Sequence, residues 1–230
     1  MTDNLPTHIA LVPDGNRRWA KQSGLPALEG HRRGAEAMHN VIDYLIGQGV
    51  RYLTLWGFST DNWKRSDGEV NDIFHLLAAW IERDAPWLNR NAVRLRHIGH
   101  LWKLPGFLQQ AINKAVELTK NNMGMTLNLA FNYTGRAEIV DAVRQLVKDD
   151  IPSQDIDEEL FSRYLYTNGM PDVDLVIRTA DEFRLSNFML WQTAYSEYYF
   201  SEVLWPDFDI KELEKALQAY SDRLRRFGGD

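Results

Sequence analysis

The chain has 230 residues, 26 Lys and Arg against 32 Asp and Glu, a formal net charge of −6 and no cysteine. This balance argues against a broad nucleic-acid surface, which needs massed cations, and the missing cysteines exclude a disulfide framework and cysteine-ligated zinc. Neither a leader-like segment nor an apolar run long enough to cross a bilayer is apparent, so one cytoplasmic α/β domain over residues 1–230 is expected.

The apolar run His8-Ile9-Ala10-Leu11-Val12 reads as a buried strand that delivers Asp14-Gly15-Asn16-Arg17-Arg18-Trp19 to its loop. There Gly15 allows close backbone approach, the two arginines can neutralise oxygens in pairs, and Asp14 can hold a divalent cation. That is chemistry for a diphosphate with its metal. A helix is predicted from about Gly30 to Gly47, with Ala35, Met38, Ile42, Leu45 and Ile46 at helical spacing. Arg51 to Phe58 forms the second strand, ending in Ser59-Thr60-Asp61-Asn62-Trp63-Lys64-Arg65. Ser66 or Asp67 caps a helix carrying Val70, Ile73, Phe74, Leu77 and Ile81 and running towards Pro86. Val93 to Arg96 alternates as a strand, Pro105 opens a helix, and Met125 to Phe131 is a further strand. Gly135 to Lys148 and Ile156 to Leu165 read as helices, and Val173 to Ile177 as a late strand. Asp209 to Glu212 resembles a capping box for a last helix ending near Arg226.

Alternation of strands and helices predicts a largely parallel sheet flanked by helices, which takes ligands beyond the carboxyl ends of its strands. Three polar loops fall there: residues 14–19, residues 59–65, and Arg178 to Asn187 after the late strand. Arg178 and Arg184, with Ser186 two residues on, suit a second diphosphate, and Ser186 and Asn187 are expected to open a helix. Any one of these loops is also compatible with a solvated connector. Together they favour a small anionic substrate.

Specific motifs in order, HIALVPDGNRRWAK (8–21), GH (30–31), FSTDNWKR (58–65), LNLAFNYTGRAEIVDAVR (127–144), DLVIRTADEFRLSNFMLWQ (174–192) and EYYFSEVLWPDFD (197–209), resemble the cis-prenyltransferases, the family of undecaprenyl diphosphate synthase. The resemblance runs from His8 to the closing Arg225-Arg226-Phe227-Gly228-Gly229. It implies the fold of that family and a Mg²⁺-dependent homodimer. The implied reaction condenses isopentenyl diphosphate with an allylic diphosphate such as farnesyl diphosphate. Each added isoprene would carry a Z double bond, the product being a carrier-lipid precursor such as undecaprenyl diphosphate. No nucleic acid and at most peripheral membrane contact are expected.

By the same resemblance, Asp14 is the metal-binding catalytic aspartate, and Gly15, Asn16, Arg17, Arg18 and His31 contact the allylic diphosphate. Trp19 and Trp63 stand where the family contacts substrate. Ser59, Thr60, Asp61 and Asn62 match the segment near the reacting carbons, and Arg65 is expected to bind substrate. Asn62 is expected to position a proton for a diphosphate oxygen, because an amide is a poor base. Arg178, Arg184, Leu185 and Ser186 correspond to the clamp on isopentenyl diphosphate, and Glu197 to a second metal-linked carboxylate. Three features depart from the common pattern: Arg17 replaces a frequent Gly, Ala27 a frequent basic residue, and Ala180-Asp181 a Gly-Gly pair.

The helix from Val70 to Ile81 and the strand from Met125 to Phe131 are the expected walls for a growing hydrocarbon, and by the resemblance Gly57 and Met125 stand near family positions that influence its length. Two other readings exist. His97-Ile98-Gly99-His100 echoes a nucleotidyl transferase element, but it closes a mid-chain strand and no lysine-rich loop follows. A noncatalytic lipid-binding partner subunit of a prenyltransferase typically lacks the first-loop aspartate, which is present here.

Overall fold

A computed structural model describes residues 5–223, and six strands carry its frame: β1 His8–Val12, β2 Tyr52–Ser59, β3 Arg94–Ile98, β4 Thr126–Tyr133, β5 Leu175–Arg178 and β6 Glu197–Phe200. They lie in the order β3-β4-β2-β1-β5-β6, every adjacent pair parallel. All five residues of β1 are buried, as befits a central strand covered on both faces and written without polar alternation.

The helices are α1 Asn16–Gln22, α2 Ala27–Gln48, α3 Asp67–Arg90, α4 Gly106–Thr119, α5 Gly135–Lys148, α6 Glu158–Tyr164 and α7 Ile210–Ser221. On one face of the sheet Ile42 and Leu45 of α2, Phe74 and Ile81 of α3, Ile112 of α4 and Leu217 of α7 pack on Ile9, Leu11, Leu53, Leu55 and Leu127. On the other, Phe188 and Met189 pack on Ala10, Val12, Ala130 and Val176. The result is the single-domain α/β architecture that the alternating pattern predicts.

Several elements differ from expectation. The segment after Asp14 and Gly15 is not all loop: α1 begins at Asn16, so Arg17, Arg18 and Trp19 ride on its first turn. Pro86 does not end α3 but lies within it. It sits on the solvent-facing side of α3, as does Glu82, whose carbonyl loses its helical donor to the proline ring. The four residues of β6 were missed because a run this short, with every side chain half-buried, carries no alternation. Ser186 and Asn187 open no helix; both take positive φ in a run of turns. Asp209 does cap α7, accepting from the Glu212 amide at 3.0 Å, and α7 is helical to Ser221. Arg225 to Gly229, with the expected helix end at Arg226, lie outside the described residues.

Candidate active site

Glycine at two positions of α2 sets the approach of α1. A Cβ on Gly30 would lie 2.0 Å from the Asn16 carbonyl oxygen, and one on Gly34 would lie 2.4 Å from Asn16 Oδ1. Only hydrogen fits there, so α1 rests directly on α2 and its arginines hang over the carboxyl ends of the central strands. Gly15, at φ 109°, makes the turn into α1 against Leu204 and Ala180.

A cavity of about 610 Å³ opens at this end of the sheet, with charged residues at its mouth and an apolar interior. Arg178, with its side chain only 4 % exposed, ends β5 and donates from Nε and Nη2 to Asp14 Oδ2 at 2.9 and 2.7 Å. It also donates to Ser186 Oγ at 2.9 Å and to the Arg184 carbonyl. Arg18 donates to the Ala180 carbonyl at 2.7 Å and to Glu182 Oε1 at 2.8 Å, while the other Glu182 oxygen pairs with Arg184. Glu69 lies 3.3 Å from Arg65 and 3.6 Å from Arg17. The mouth therefore holds five arginines, each paired with a carboxylate of the same chain.

His31 projects from α2 into this cluster. Burial, reinforced by Arg65, lowers its pKa to about 4, so the ring is neutral near pH 7. Its Nε2 is buried without a hydrogen bond, since Glu69 stands 3.9 Å away. Asn62 faces the same space from the 3-10 turn after β2, and its Oδ1 accepts from the Ser59 amide at 2.9 Å in a capping box. That bond fixes the Asn62 amide and leaves its N–H donors free to face the cavity.

Asp14, Gly15, Asn16, Arg17, Arg18, His31, Ser59, Asp61, Asn62, Arg65, Arg178, Arg184 and Ser186 are thus brought together around one cavity. Others are not. Trp19, half-buried, turns away from the cavity towards the Trp205–Asp207 turn, where it donates to Asp207 at 2.9 Å. Trp63 donates to Asn132 Oδ1 at 2.8 Å and packs edge-on against Phe58 and Phe74. Thr60 reaches Thr134 at 3.4 Å, and Leu185 packs beneath the sheet with Phe188. Ala27, at the start of α2, is also outside the cavity wall, whereas Arg17 lines it.

Glu197 is the clearest displacement. The parallel register pairs it with Leu175, three residues before the Arg178 and Phe200 level, or about 10 Å towards the amino end at strand rise. There it binds Arg223 at 2.8 Å, so one chain does not bring it to Asp14. His97 and His100 are no site either: the first bonds the Phe131 carbonyl at 3.0 Å and the second Asp141 at 2.7 Å. Glu69 and Glu182 were missed as site residues. A signal existed for Glu69, which stands three residues after Ser66, the side chain that caps α3. Glu182 lies in the late loop with nothing in its spacing to mark it.

Inward from the charges, the wall is Ala35 and Met38 of α2, Ile73, Leu76, Leu77 and Trp80 of α3, and Gly57, Leu129 and Phe131 of the sheet. Val70, Phe74 and Ile81 of the expected wall are core instead, and Met125, just before β4, is buried at the opposite end of the strand.

The family model described as "Putative undecaprenyl diphosphate synthase" matches residues 12–228. An isoprenyl transferase of Fusobacterium nucleatum is 50 % identical over 229 residues, covering 100 % of this chain and 98 % of that protein. One from Thermotoga maritima is 47 % identical, covering 98 % and 97 %. Among solved structures, lavandulyl diphosphate synthase from Lavandula x intermedia, in complex with dimethylallyl diphosphate, superposes with a TM-score of 0.94 at 38 % identity, covering 97 % of this chain and 98 % of that one. With its whole length matched in sequence and fold, the chain belongs to the cis-prenyltransferases, the undecaprenyl diphosphate synthase family.

Proposed function

We propose that the protein is a prenyltransferase that condenses isopentenyl diphosphate with an allylic diphosphate, adding isoprene units with Z double bonds. The observation that carries this reading is the shape of the cavity: a mouth of five arginines leads directly into an apolar corridor. A diphosphate ester of a hydrocarbon fits both halves, whereas a nucleotide fits only the first.

In this reading Arg17, Arg18, His31 and the Gly15 turn hold the allylic diphosphate, and Arg178, Arg184 and Ser186 hold the isopentenyl diphosphate. The allylic carbon–oxygen bond breaks with its electron pair leaving on the diphosphate, which the arginines and neutral His31 stabilise by hydrogen bonds. The isopentenyl double bond supplies the electrons of the new carbon–carbon bond. A proton then passes to a diphosphate oxygen, with the Asn62 amide orienting the groups. Asp14 would hold Mg²⁺: its side chain is 40 % exposed at the mouth, and magnesium prefers one or two carboxylates shared with phosphate oxygens. Among the described residues no group of three or more His, Cys, Asp or Glu is placed to hold a metal ion. When bound, the ion supplies charge neutralisation on the departing diphosphate.

A homodimer in the cytoplasm, touching membrane only peripherally, completes the proposal. No helix among the described residues is long and apolar enough to cross a membrane. Incubating the purified chain with radiolabelled isopentenyl diphosphate, Mg²⁺ and either dimethylallyl or farnesyl diphosphate tests the reaction. The expected result is label in a butanol-extractable product, lost on chelation of the metal. No incorporation by the chain alone would favour the noncatalytic partner reading instead.

A further inference from the structure

The apolar corridor has a floor. The cations stand where α2 and α3 begin, and both helices run away from them. The cavity wall on α3 continues through Ile73, Leu76 and Leu77 and stops at Trp80; on α2 it stops at Met38. Beyond these residues the seam is closed by His39, which follows Met38: it bonds Asp84, one turn past Trp80, at 3.1 Å, and its ring packs on Trp87, two turns past Trp80, at 4.3 Å between centroids. Trp80 is only 5 % exposed, and its indole N–H is buried with no hydrogen-bond partner. A buried donor of that kind usually has a partner, and a π-face is a weak one, so a ligand carrying double bonds would meet it better than a saturated chain.

From Glu69 at the charged end to Trp80 is eleven residues of helix, or about 16 Å at the α-helical rise. An isoprene unit contributes four carbon–carbon links of about 1.5 Å each, roughly 5 Å when extended. The corridor thus holds about three units before the end of the chain meets the indole. Each condensation adds a unit at the diphosphate end and pushes the older units inward. Elongation ends, on this geometry, when the oldest unit can advance no further.

We infer that Trp80 is the residue that limits product length in this enzyme, by closing the corridor between α2 and α3 against the distal isoprene. This rests on the prenyltransferase reading above. Leu77, one turn nearer the mouth, lines the same wall and supplies the opposite test.

Products made from isopentenyl and dimethylallyl diphosphates by the wild type, Trp80→Ala, Trp80→Leu and Leu77→Trp would be resolved by mass spectrometry under identical conditions. Trp80→Ala is expected to move the most abundant product about one isoprene unit longer, with Trp80→Leu intermediate. Leu77→Trp is expected to move it shorter by at least one unit, and it carries the test by itself should the Trp80 variants fail to fold. Unchanged length distributions in the folded variants, with the wild type active, would overturn the inference and leave the activity standing. No product from the wild type would instead overturn the activity.

Discussion

Asp14 is tied to chemistry and to structure through one oxygen. Its Oδ2 takes both Arg178 bonds, so removing the carboxylate also strips a nearly buried guanidinium of its only anionic partner among the contacts described. Asp14→Ala is expected to reduce kcat about a thousandfold or more, roughly 4 kcal/mol of transition-state stabilisation, as measured by steady-state turnover at saturating substrates. It should also lower the thermal midpoint, because a buried charge left without its partner costs about 3–5 kcal/mol, discounted here since Asp14 itself is 40 % exposed. Asn at the same position keeps an acceptor for Arg178 and should recover the midpoint while leaving kcat low. Near-normal turnover in either variant would remove Asp14 from the mechanism.

His31 adds a dependence on pH whose sign follows from its environment. Its folded pKa, about 4, lies below the unfolded value of 6.5, so the unfolded chain takes up a proton first as pH falls. The histidine's contribution to stability is therefore complete above about pH 6.5 and is lost progressively towards pH 4. By pH 5 the loss should reach about 2 kcal/mol, given about 1.36 kcal/mol per pKa unit. His97, lowered to about 4 by burial, and His8, also lowered by burial, add acid-side losses of the same sign, so the wild type alone cannot separate them. Urea unfolding of wild type and His31→Asn at pH 7.5 and pH 5 does so: the variant should lose about 2 kcal/mol less across that interval. An equal loss would mean that His31 is accessible to protons in the folded state.

At the scale of elements, the site depends on how closely α1 lies on α2. The Cβ of Gly30→Ala would meet the Asn16 backbone rather than a flexible side chain, so the helices must part. Overpacking of this kind costs about 1–3 kcal/mol, and α1 carries Arg17 and Arg18 with it, so KM for the allylic diphosphate should rise with the loss of stability. Gly47 of the same helix is an internal control, because a Cβ there meets nothing within 4 Å. Gly47→Ala should stabilise by up to about 1 kcal/mol through helix propensity, with kinetics unchanged. Opposite signs for two glycines of one helix, read from urea midpoints, would support close approach as the reason for Gly30, and a destabilising Gly47→Ala would count against it.

How much of this was legible in the sequence also divides by element. Helix α5 is found where predicted, Gly135 to Lys148, because it combines helical spacing with a clear start after the strand. Central strands were legible because parallel strands buried on both faces are written as unbroken apolar runs. The convergence of Asp14, Asn62 and Arg178 was legible because strand ends of one parallel sheet share an edge. By contrast, α1 lacks a side-chain cap, and Asp14-Gly15-Asn16 reads locally as a turn. Glu182 was not legible, since a loop with positive φ at Ala180, Asp181, Ser186 and Asn187 has no periodicity to read. Glu197 was assigned by resemblance alone, and strand register, which a single sequence does not disclose, separates it from Asp14.

At the scale of the whole molecule, the outer face of α5 leads to the last prediction. The inner face of this helix buries Ala142 and Leu146, yet Val140, Val143 and Val147 are 46 %, 47 % and 71 % exposed. At spacings of three and four residues these valines form one stripe, and β-branched residues are not chosen for helix propensity on a solvated surface. A second copy of the chain is the occupant consistent with the proposed homodimer, since the two-fold contact of a dimer buries the same patch on both partners. Val143→Lys combined with Val147→Lys places four extra positive charges in such an interface, two from each protomer, where like charges are costly. In an isolated protomer the same changes are surface substitutions, worth about ±0.5 kcal/mol. Light scattering during gel filtration should therefore give a dimer mass for the wild type and a protomer mass for the double variant, with nearly equal thermal midpoints once dimer dissociation is allowed for. A wild type that elutes at protomer mass would refute the dimer, and a variant that stays dimeric would move the interface to another face of the molecule.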